Sequence, residues 1–235
     1  MILSTAFINE KGDLKNMSAF LGPIHYWMYE KIKNVMSRKV AIFSAFYEKY
    51  GSEVESVYGK TRQEVESEDD GRPLDELIED SPIHGWLADK IREVETGEAR
   101  MVKIFMDKYA DRNLIEEAAY WYGRGKGIEA REKHNPEKNI ESLYDTINNY
   151  FLDGMPCDHV TETELNNGSL INRHTDCLHL TYWNDAEISP ELMCTLNRKW
   201  LDGFCESLDA ELKHTGKESI ITGSKECVDI YYGQD

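Results

Sequence analysis

The sequence Pro23-Ile24-His25-Tyr26-Trp27-Met28-Tyr29-Glu30-Lys31-Ile32 decides the fold, because the chain contains it twice. The second copy is Pro82-Ile83-His84-Gly85-Trp86-Leu87-Ala88-Asp89-Lys90-Ile91, in which Pro, Ile, His, Trp, Lys and Ile recur at the same positions. The offset of 59 residues still holds where Phe46 and Tyr50 match Phe105 and Tyr109. This gap-free match predicts a duplicated unit over about residues 20–51 and 79–110.

Each copy has the pattern of an amphipathic helix. Apolar residues recur at helical spacing in both copies. They are Ile24, Trp27, Met28 and Ile32 in the first copy, and Ile83, Trp86, Leu87 and Ile91 in the second. Ser81-Pro82 offers an N-cap and a proline in the first turn, where the missing N–H costs nothing. Since further helical stretches follow at 38–50 and 99–109, we expect two helical hairpins or long bent helices, stacked by their aromatic stripes.

His25 and His84 occupy equivalent positions, each early in its predicted helix. If the copies pack about a pseudo-twofold axis, the two imidazoles can approach each other and share a metal ion, zinc or iron, or a substrate carboxylate. The alternative is that each histidine packs and hydrogen-bonds beside its tryptophan, because a histidine ligand also needs supporting groups around it.

The net charge of the chain is −17, from 44 acidic and 27 basic residues. Such a surface repels phosphate groups, which argues against nucleic-acid and membrane partners. No apolar run approaches the roughly 20 residues of a membrane span, and segment 1–13 lacks the features of a signal peptide. We expect a soluble protein whose partner is a small-molecule substrate or ligand, with a homo-oligomer left open.

All five cysteines lie in the last third of the chain. They are Cys157, Cys177, Cys194, Cys205 and Cys227. An odd number, no CxxC pair and no secretion signal indicate reduced thiols and a cytoplasmic location. The change in composition predicts a helical part over 1–152 and an α+β part over 153–235, with the boundary near Asp153-Gly154.

Two short motifs invite a functional interpretation. Segment 64–70 is acidic but lacks EF-hand spacing, so a solvated loop is favoured over a cation site. Gly123-Arg124-Gly125-Lys126-Gly127 resembles a phosphate cradle, yet it matches neither of the glycine motifs that bind nucleotides. Close helix packing or a kink at these glycines, within a helix over 113–133, is the favoured interpretation. A helix over 137–152 completes the helical part.

From Cys157 onward the pattern becomes that of strands. The runs 160–165 and 170–175 flank Asn166-Asn167-Gly168-Ser169, and Asn-Gly between two such runs is a strong hairpin signal. A two-residue turn at Asn167-Gly168 sets Glu162 opposite Arg173, a favourable cross-strand pair. The same register places His159 opposite Asp176 and Thr161 opposite His174.

The end of this hairpin concentrates thiol, imidazole and carboxylate groups. Cys157, His159, His174 and Asp176 fall on one face, with Asp158 and Cys177 on the other, unless a bulge exchanges the faces. A Cys–His–Asp set could activate a thiolate nucleophile, or it could bind zinc or iron. The third interpretation is a polar hairpin end with a buried structural cysteine.

A capped helix and a second hairpin complete the chain. Ser189-Pro190-Glu191 begins an amphipathic helix over 192–214, in which Glu211 and His214 form one ExxH pair; a di-iron bundle needs two. Strands at 218–222 and 226–232 follow around Gly223-Ser224, with Cys227, Asp229 and Tyr231 on one face. Two strands, a helix and two strands give a small antiparallel sheet backed by helix, and hence an α+β fold.

Several features of the C-terminal half together carry a family resemblance. They are the spaced Gly123 and Gly127, the strand ending at Asp176-Cys177, the helix with Cys205 and Asp209, and the closing Gly223-Ser224-Lys225-Glu226-Cys227-Val228-Asp229. Over about residues 114–232 this layout resembles the L-2-amino-thiazoline-4-carboxylic acid hydrolase-like family, which is related to vinyl-reductase-type small-molecule-binding domains. The chain departs from the family pattern at Lys217-Glu218-Ser219 and Val228-Asp229.

The resemblance implies a small-molecule hydrolase that adds water to a cyclic C=N carbon and opens a thiazoline-like ring. It implies Cys177 or Cys227 as nucleophile, His174 or His159 as general acid and base, and Asp176 or Asp229 as orienting carboxylate. One alternative is a sensor that binds a metal ion or a small molecule without turnover. A pure interaction module is another.

Overall fold

The computed structural model describes residues 21–68, 71–78 and 81–233 of the chain. Segment 1–13, for which no signal peptide is predicted, and Asp69 and Asp70 of the acidic stretch lie outside these residues. The described helices are α1 (Pro23–Tyr50), α2 (Glu53–Tyr58), α3 (Arg62–Glu66), α4 (Leu74–Leu77), α5 (Ile83–Tyr109), α6 (Arg112–His134), α7 (Ile140–Asn148), α8 (Leu180–Asp185) and α9 (Pro190–Leu208).

The two copies of the repeated sequence form two long helices, α1 and α5, that run parallel and side by side. Residues at matching positions contact each other along the pair. The ring centroids of Phe46 and Phe105 are 4.5 Å apart, and those of Tyr50 and Tyr109 are 4.2 Å apart. Each copy is therefore one continuous long helix, stacked on the other by aromatic side chains as predicted. The duplication itself stays an inference from the sequence.

The start of α5 differs from the prediction. Pro82 is itself the N-cap residue of α5, with extended backbone angles, and no side chain caps this helix. Ser81 therefore does not serve as the cap, because it lies one residue too early. In α1 the proline occupies the first turn as expected, since Gly22 is the N-cap residue and Pro23 begins the helix.

A buried ion pair ties α1 to α5 near their middle. The Arg38 guanidinium donates to both carboxylate oxygens of Glu98, at 2.7 and 2.6 Å, and both side chains are almost completely buried. A bidentate pair of this kind fixes the mutual position of two helices as well as neutralising the charges. The pair therefore sets the register in which the two helices pack.

Helices α6 and α9 pack closely because glycines line their contact. A Cβ atom at Gly123 would overlap the carbonyl oxygen of Trp200, and one at Gly127 would overlap that of Phe204. On α9, Gly203 makes the equivalent approach to the carbonyl oxygen of Tyr120. The glycine-rich segment thus serves close helix packing, which confirms the favoured interpretation over a phosphate cradle.

The described residues contain one four-stranded antiparallel sheet in the order β1-β2-β4-β3. Its strands are β1 (Thr161–Asn166), β2 (Ser169–His174), β3 (Leu212–Glu218) and β4 (Cys227–Gly233). The first hairpin has the predicted two-residue turn, and Glu162 pairs with Arg173 as expected. With the long helices, this small sheet gives the predicted α+β fold.

The segment between α9 and β4 departs from the prediction. Helix α9 ends at Leu208, because Asp209 adopts extended backbone angles, and the chain then enters β3. His214 therefore lies on a strand, and the helical ExxH pair with Glu211 does not form. The segment predicted as the strand 218–222 is mainly a 3-10 turn at Ile220–Thr222.

The acidic stretch is more ordered than the predicted loop. Thr61 caps α3, whose third residue Glu64 bonds back to the Thr61 N–H. Glu68 accepts hydrogen bonds from Lys39 and Lys60, at 2.5 and 2.8 Å. The carboxylates described here thus pair with the chain's own groups. None of the described helices combines the length and the apolarity needed to cross a membrane.

The strand β1 lies at one edge of the sheet, and all six of its residues are exposed. The inner face of the other strands is covered by helices. Leu170 of β2, Leu212 of β3 and Tyr231 of β4 pack there against Trp200 and Phe204 of α9. The polar positions of this same inner face lie toward the end of the sheet where β2 ends and β4 begins.

Candidate functional site

A cavity of about 70 Å³ lies where the inner face of the sheet meets the segment before α8 and one face of α9. It contains five of the six residues proposed as catalytic from the sequence, namely His174, Asp176, Cys177, Cys227 and Asp229. The cavity also has walls from residues that were not proposed as catalytic from the sequence. They include Phe151, Asp153, Asn172, His179, Trp183, Cys194, Asn197, Arg198, Leu201 and Tyr231.

His159 does not reach this cavity, and the predicted contact with Asp176 does not form. Pro156 begins a 3-10 turn, after which His159 takes a left-handed backbone conformation with φ of 54°. The hairpin pairing therefore stops one residue beyond β1, at the bond from the Thr175 N–H to the Val160 carbonyl. Cys157 lies in the same turn and is exposed.

Asp153 and His174 form the central contact of the cavity. His174 is the last residue of β2, and its Nε2 atom is hydrogen-bonded to the Asp153 carboxylate. Burial alone would lower the pKa of His174, but the hydrogen bond and the charge of Asp153 raise it above its ordinary value. Burial opposes ionisation of Asp153 as well, yet His174 keeps the pKa of that carboxyl low. The two groups are therefore held as an ion pair.

His179 lies on the other side of Asp153, just before α8. Its Nδ1 atom is 3.3 Å from Glu95 of α5, and its Nε2 atom is 3.9 Å from Asp153. The ring stacks on Trp183 with centroids 5.2 Å apart. Burial opposes the imidazolium, but the charges of Glu95 and Asp153 raise the pKa of His179. Asp153 is thus flanked by two imidazoles that favour the protonated form.

Three thiols line the cavity, and their environments differ. Burial raises the pKa of Cys177 to about 11, and it also raises the pKa of Cys194. Cys227, the first residue of β4, accepts a hydrogen bond from the Ile220 N–H at 3.3 Å. It is also the direct cross-strand partner of His174, which places their Cβ atoms roughly 5 Å apart on one face of the sheet.

A second histidine–carboxylate cluster borders the cavity at Asp229. His214 of β3 bonds through Nε2 to Asp229 and through Nδ1 to Asp202 of α9, each at 3.0 Å. Burial opposes its charging, but these two hydrogen bonds raise the pKa of His214. The Nε atom of Arg198 lies 3.9 Å from the same Asp229 oxygen. Asp229 therefore already has His214 as its hydrogen-bond partner.

His25 and His84 meet as the duplication suggests, but away from this cavity. Their Nε2 atoms are 3.2 Å apart, and the Gly22 N–H donates to His25 Nδ1 at 3.0 Å. That bond places the ring hydrogen of His25 on Nε2, whereas a metal ligand needs a lone pair there. Burial and the neighbouring His84 lower the pKa of His25. The arrangement favours a hydrogen-bonded pair of imidazoles over a shared metal ion.

Within residues 21–68, 71–78 and 81–233, no group of three or more His, Cys, Asp or Glu side chains is arranged to hold a metal ion. The cavity thiols and imidazoles are instead distributed around its walls, with the imidazoles bonded to carboxylates. Zinc or iron therefore stays a prediction from composition.

Sequence reasoning missed several residues that line the cavity or support its imidazoles. Asp153 was noticed only as a boundary, Glu95 lies on a helix of the other part, and Asn172 and Asn197 stand in ordinary amphipathic patterns. His179 belongs to the Cys/His segment at the end of the first hairpin, but no pattern in the sequence assigned it a role.

Comparison with known proteins identifies no relative. No protein-family model matches the chain, and no curated protein or solved structure gives a significant match.

Proposed function

We propose that the protein is a small-molecule hydrolase that opens a cyclic C=N ring, with Cys227 as nucleophile, His174 as general acid and base and Asp153 as the orienting carboxylate. The observation that carries the proposal is the alignment of these residues in one cavity. Cys227 and His174 are cross-strand partners, and His174 is held by Asp153. A nucleophile, a base and a group that orients the base are the parts that covalent catalysis needs.

The choice of Cys227 rests on the contrast with its neighbours. The raised pKa of Cys177, about 11, keeps that thiol protonated near neutral pH, and a thiol is a poor nucleophile. Cys227 instead has a backbone N–H directed at its sulfur and lies beside an imidazole that favours the protonated form. Asp153 replaces Asp176 and Asp229 as the orienting group, because it is the carboxylate that bonds to His174.

The proposed reaction begins from the Cys227 thiolate and the His174 imidazolium. The thiolate adds to the C=N carbon, and the ring nitrogen takes a proton from His174. Collapse of the adduct re-forms the C=N bond and breaks the bond from that carbon to the other ring heteroatom. His174 carries the proton from the ring nitrogen to that heteroatom, which leaves as the opened end of the ring. Neutral His174 then takes a proton from water, and the water oxygen displaces the Cys227 sulfur from the carbon. This step restores the Cys227 thiolate and the His174 imidazolium.

The test is turnover of 2-amino-thiazoline-4-carboxylate and related thiazolines, followed as the gain of one water by mass spectrometry. We expect Cys227→Ser to lower the rate by at least about a hundredfold, the usual scale for such a group. Cys157→Ser is the matched control, because that thiol is exposed and outside the cavity. Full turnover by Cys227→Ser would overturn the assignment.

Binding without turnover is the second candidate, and unpaired polar groups in the cavity wall favour it. Three buried polar atoms there, in Asn172, Trp183 and Asn197, have no hydrogen-bond partner among the described residues. Such atoms are exceptions in folded proteins, and a ligand that shifts this wall as it enters would pair them without any chemistry. Saturable binding with no product for any thiazoline would select this candidate.

A further inference from the structure

Four ionisable side chains form one buried row that runs from α5 to the end of β2. The Glu95 carboxylate lies 3.3 Å from Nδ1 of His179, and Nε2 of His179 lies 3.9 Å from Oδ1 of Asp153. The other oxygen of Asp153 is hydrogen-bonded to Nε2 of His174. Carboxylate and imidazole therefore alternate along the row, and its first two members, Glu95 and His179, have no part in the proposed reaction.

His179 is fixed in its place in the row. It is the residue that precedes α8, and its ring stacks on the buried Trp183 with only 7° between the two planes. The side chains of His179 and Glu95 are 12% and 2% exposed, so bulk water screens their charges only weakly. Charges that are screened so little act on each other more strongly than they do in water.

Asp153 is shared by two imidazoles that compete for its charge. Burial lowers the pKa of both His174 and His179, and Asp153 raises the pKa of both. The charge of His179 in turn lowers the pKa of His174, because two imidazolium groups beside one carboxylate repel each other. Burial also opposes the charge on His179, and Glu95 contributes most to restoring it.

Other charged groups face the two imidazoles from the elements packed around them. Asp229 of β4 raises the pKa of His174, Arg38 of α1 lowers the pKa of His179, and Lys31 of α1 acts on Asp153. Further titratable groups in the walls beside the two rings include Asp176, Cys177, Cys227, Arg198, Asp158 and Tyr182. These groups are the same in the unaltered protein and in variants at Glu95 or His179, so a difference between those proteins reports the row itself.

We propose that His179 and Glu95 are positioning residues for the proton of His174: Glu95 keeps His179 charged, and charged His179 weakens the hold of Asp153 on that proton. This inference rests on the proposed function for the use of the proton in ring opening, but the proton equilibrium of His174 stands apart from it. An imidazolium held too firmly by its carboxylate is a poor general acid, because proton transfer is most efficient when the pKa of the acid lies near the working pH.

The first experiment follows the His174 ring by NMR across pH in the unaltered full-length protein and in Glu95→Gln. The His174 signal is identified by its loss in His174→Gln. We expect Glu95→Gln to raise the pH at which His174 titrates by about half a unit or more, because neutral His179 leaves Asp153 to His174 alone. The direction is diagnostic, because loss of the Glu95 charge acting directly on His174 would lower that pH. Glu93→Gln is the matched control, since Glu93 is exposed on the same helix.

The second experiment is a double-variant comparison. His179→Gln alone should also raise the pH at which His174 titrates, because it removes the same positive charge. In the Glu95→Gln background, His179→Gln should have little further effect, because His179 is already neutral there. The double variant buries no unpaired carboxylate, so it keeps the comparison available if His179→Gln alone does not fold.

Turnover supplies the third measurement. The pH above which turnover of 2-amino-thiazoline-4-carboxylate declines should rise in Glu95→Gln by the same amount as the His174 titration, whereas a merely structural role of Glu95 would lower the rate at every pH.

An unchanged or lower titration of His174 in Glu95→Gln would overturn the inference. So would additive effects of the two substitutions, or a pH profile of turnover that does not move with the titration. Failure of the proposed function is seen differently, as undiminished turnover by Cys227→Ser. If the protein opens no thiazoline, the titrations of His174 still decide whether Glu95 and His179 control its proton.

Discussion

Asp153 holds two imidazoles at once, and its charge determines how the cavity responds to pH. Its carboxylate bonds to His174 and lies near His179. Lys31 of α1 also interacts with the charge of Asp153. Burial lowers the pKa of Lys31 to about 8, and Asp153 opposes that shift. A single carboxylate thus stabilises cations that come from α1, β2 and the segment before α8.

We expect Asp153→Asn to destabilise the protein by about 2–3 kcal/mol at pH 5.5, because it leaves a partly buried imidazolium without its partner. Because the pKa of His174 is raised in the folded protein, its imidazolium stabilises the folded state below about pH 6.5. This stabilisation is lost as the pH rises through the pKa of His174 in the folded protein. The lowered pKa of Asp153 means that its effect is lost only as the pH falls below about 4. The loss on substitution should therefore be smaller at pH 9.

The measurement is urea unfolding of both proteins at pH 5.5 and pH 9. Asp176→Asn is the control, because Asp176 is exposed and its carboxylate bonds to the backbone N–H of Cys177. The same loss of stability for Asp153→Asn at both pH values would contradict the proposed ion pair.

At the scale of elements, the packing of α6 on α9 depends on glycine at particular positions. Gly127 lies against the carbonyl oxygen of Phe204, whereas nothing lies near Gly125, two residues earlier in the same helix. We expect Gly127→Ala to destabilise the protein by about 1–3 kcal/mol, because the added methyl group forces the helices apart. Gly125→Ala should stabilise it by up to about 1 kcal/mol through helix propensity alone.

Thermal and urea unfolding of the two variants provide the comparison. Because both substitutions are the same change in one helix, the difference between them reports the helix contact and not the propensity. Equal effects would mean that α6 and α9 separate without cost.

Elements with a local signal could be predicted from the sequence. The first hairpin was predictable, because Asn167-Gly168 fixes the turn and the turn fixes the register. The end of α9 was not, because Leu208 and Leu212 continue the helical spacing after the helix has ended. The left-handed backbone at His159, which ends the strand pairing, was missed for a similar reason. The residues just before Thr161 continue the alternating pattern of a strand. Local periodicity carries no information on where tertiary contacts stop an element.

For the whole molecule, the helices of the first 152 residues support the cavity of the last third. Glu95 of α5 holds His179, while α6 covers one side of α9. Contacts between residues that lie far apart in the chain could not be predicted from the sequence. His174, Asp176 and Cys177 could be proposed, because the first hairpin brings them together at one end. Cys227 and Asp229 were proposed only because the family resemblance implied them. Asp153 and Glu95 could not be proposed, because only the packing of distant elements places them near the imidazoles.

We therefore expect residues 153–235 alone not to fold. Helix α9 would expose the glycine-lined face that α6 covers, and His179 would lose its bond to Glu95. Far-UV circular dichroism should show little regular structure and no cooperative thermal transition, whereas the full chain should unfold in one transition. A cooperative transition of 153–235 would show that this part is an independent domain.

The exposed edge strand β1 has a practical consequence for self-association. A free strand edge can pair with the edge of another molecule, and Leu165 of β1 is itself exposed. Glu162 and Glu164 lie on this strand, and the whole chain carries a charge of −17. Repulsion between like charges keeps such edges apart, but it fades toward the isoelectric point of about 4.8. Mild acid should therefore lead to edge-to-edge aggregation of folded molecules, which sets the lower pH limit for concentrating this protein.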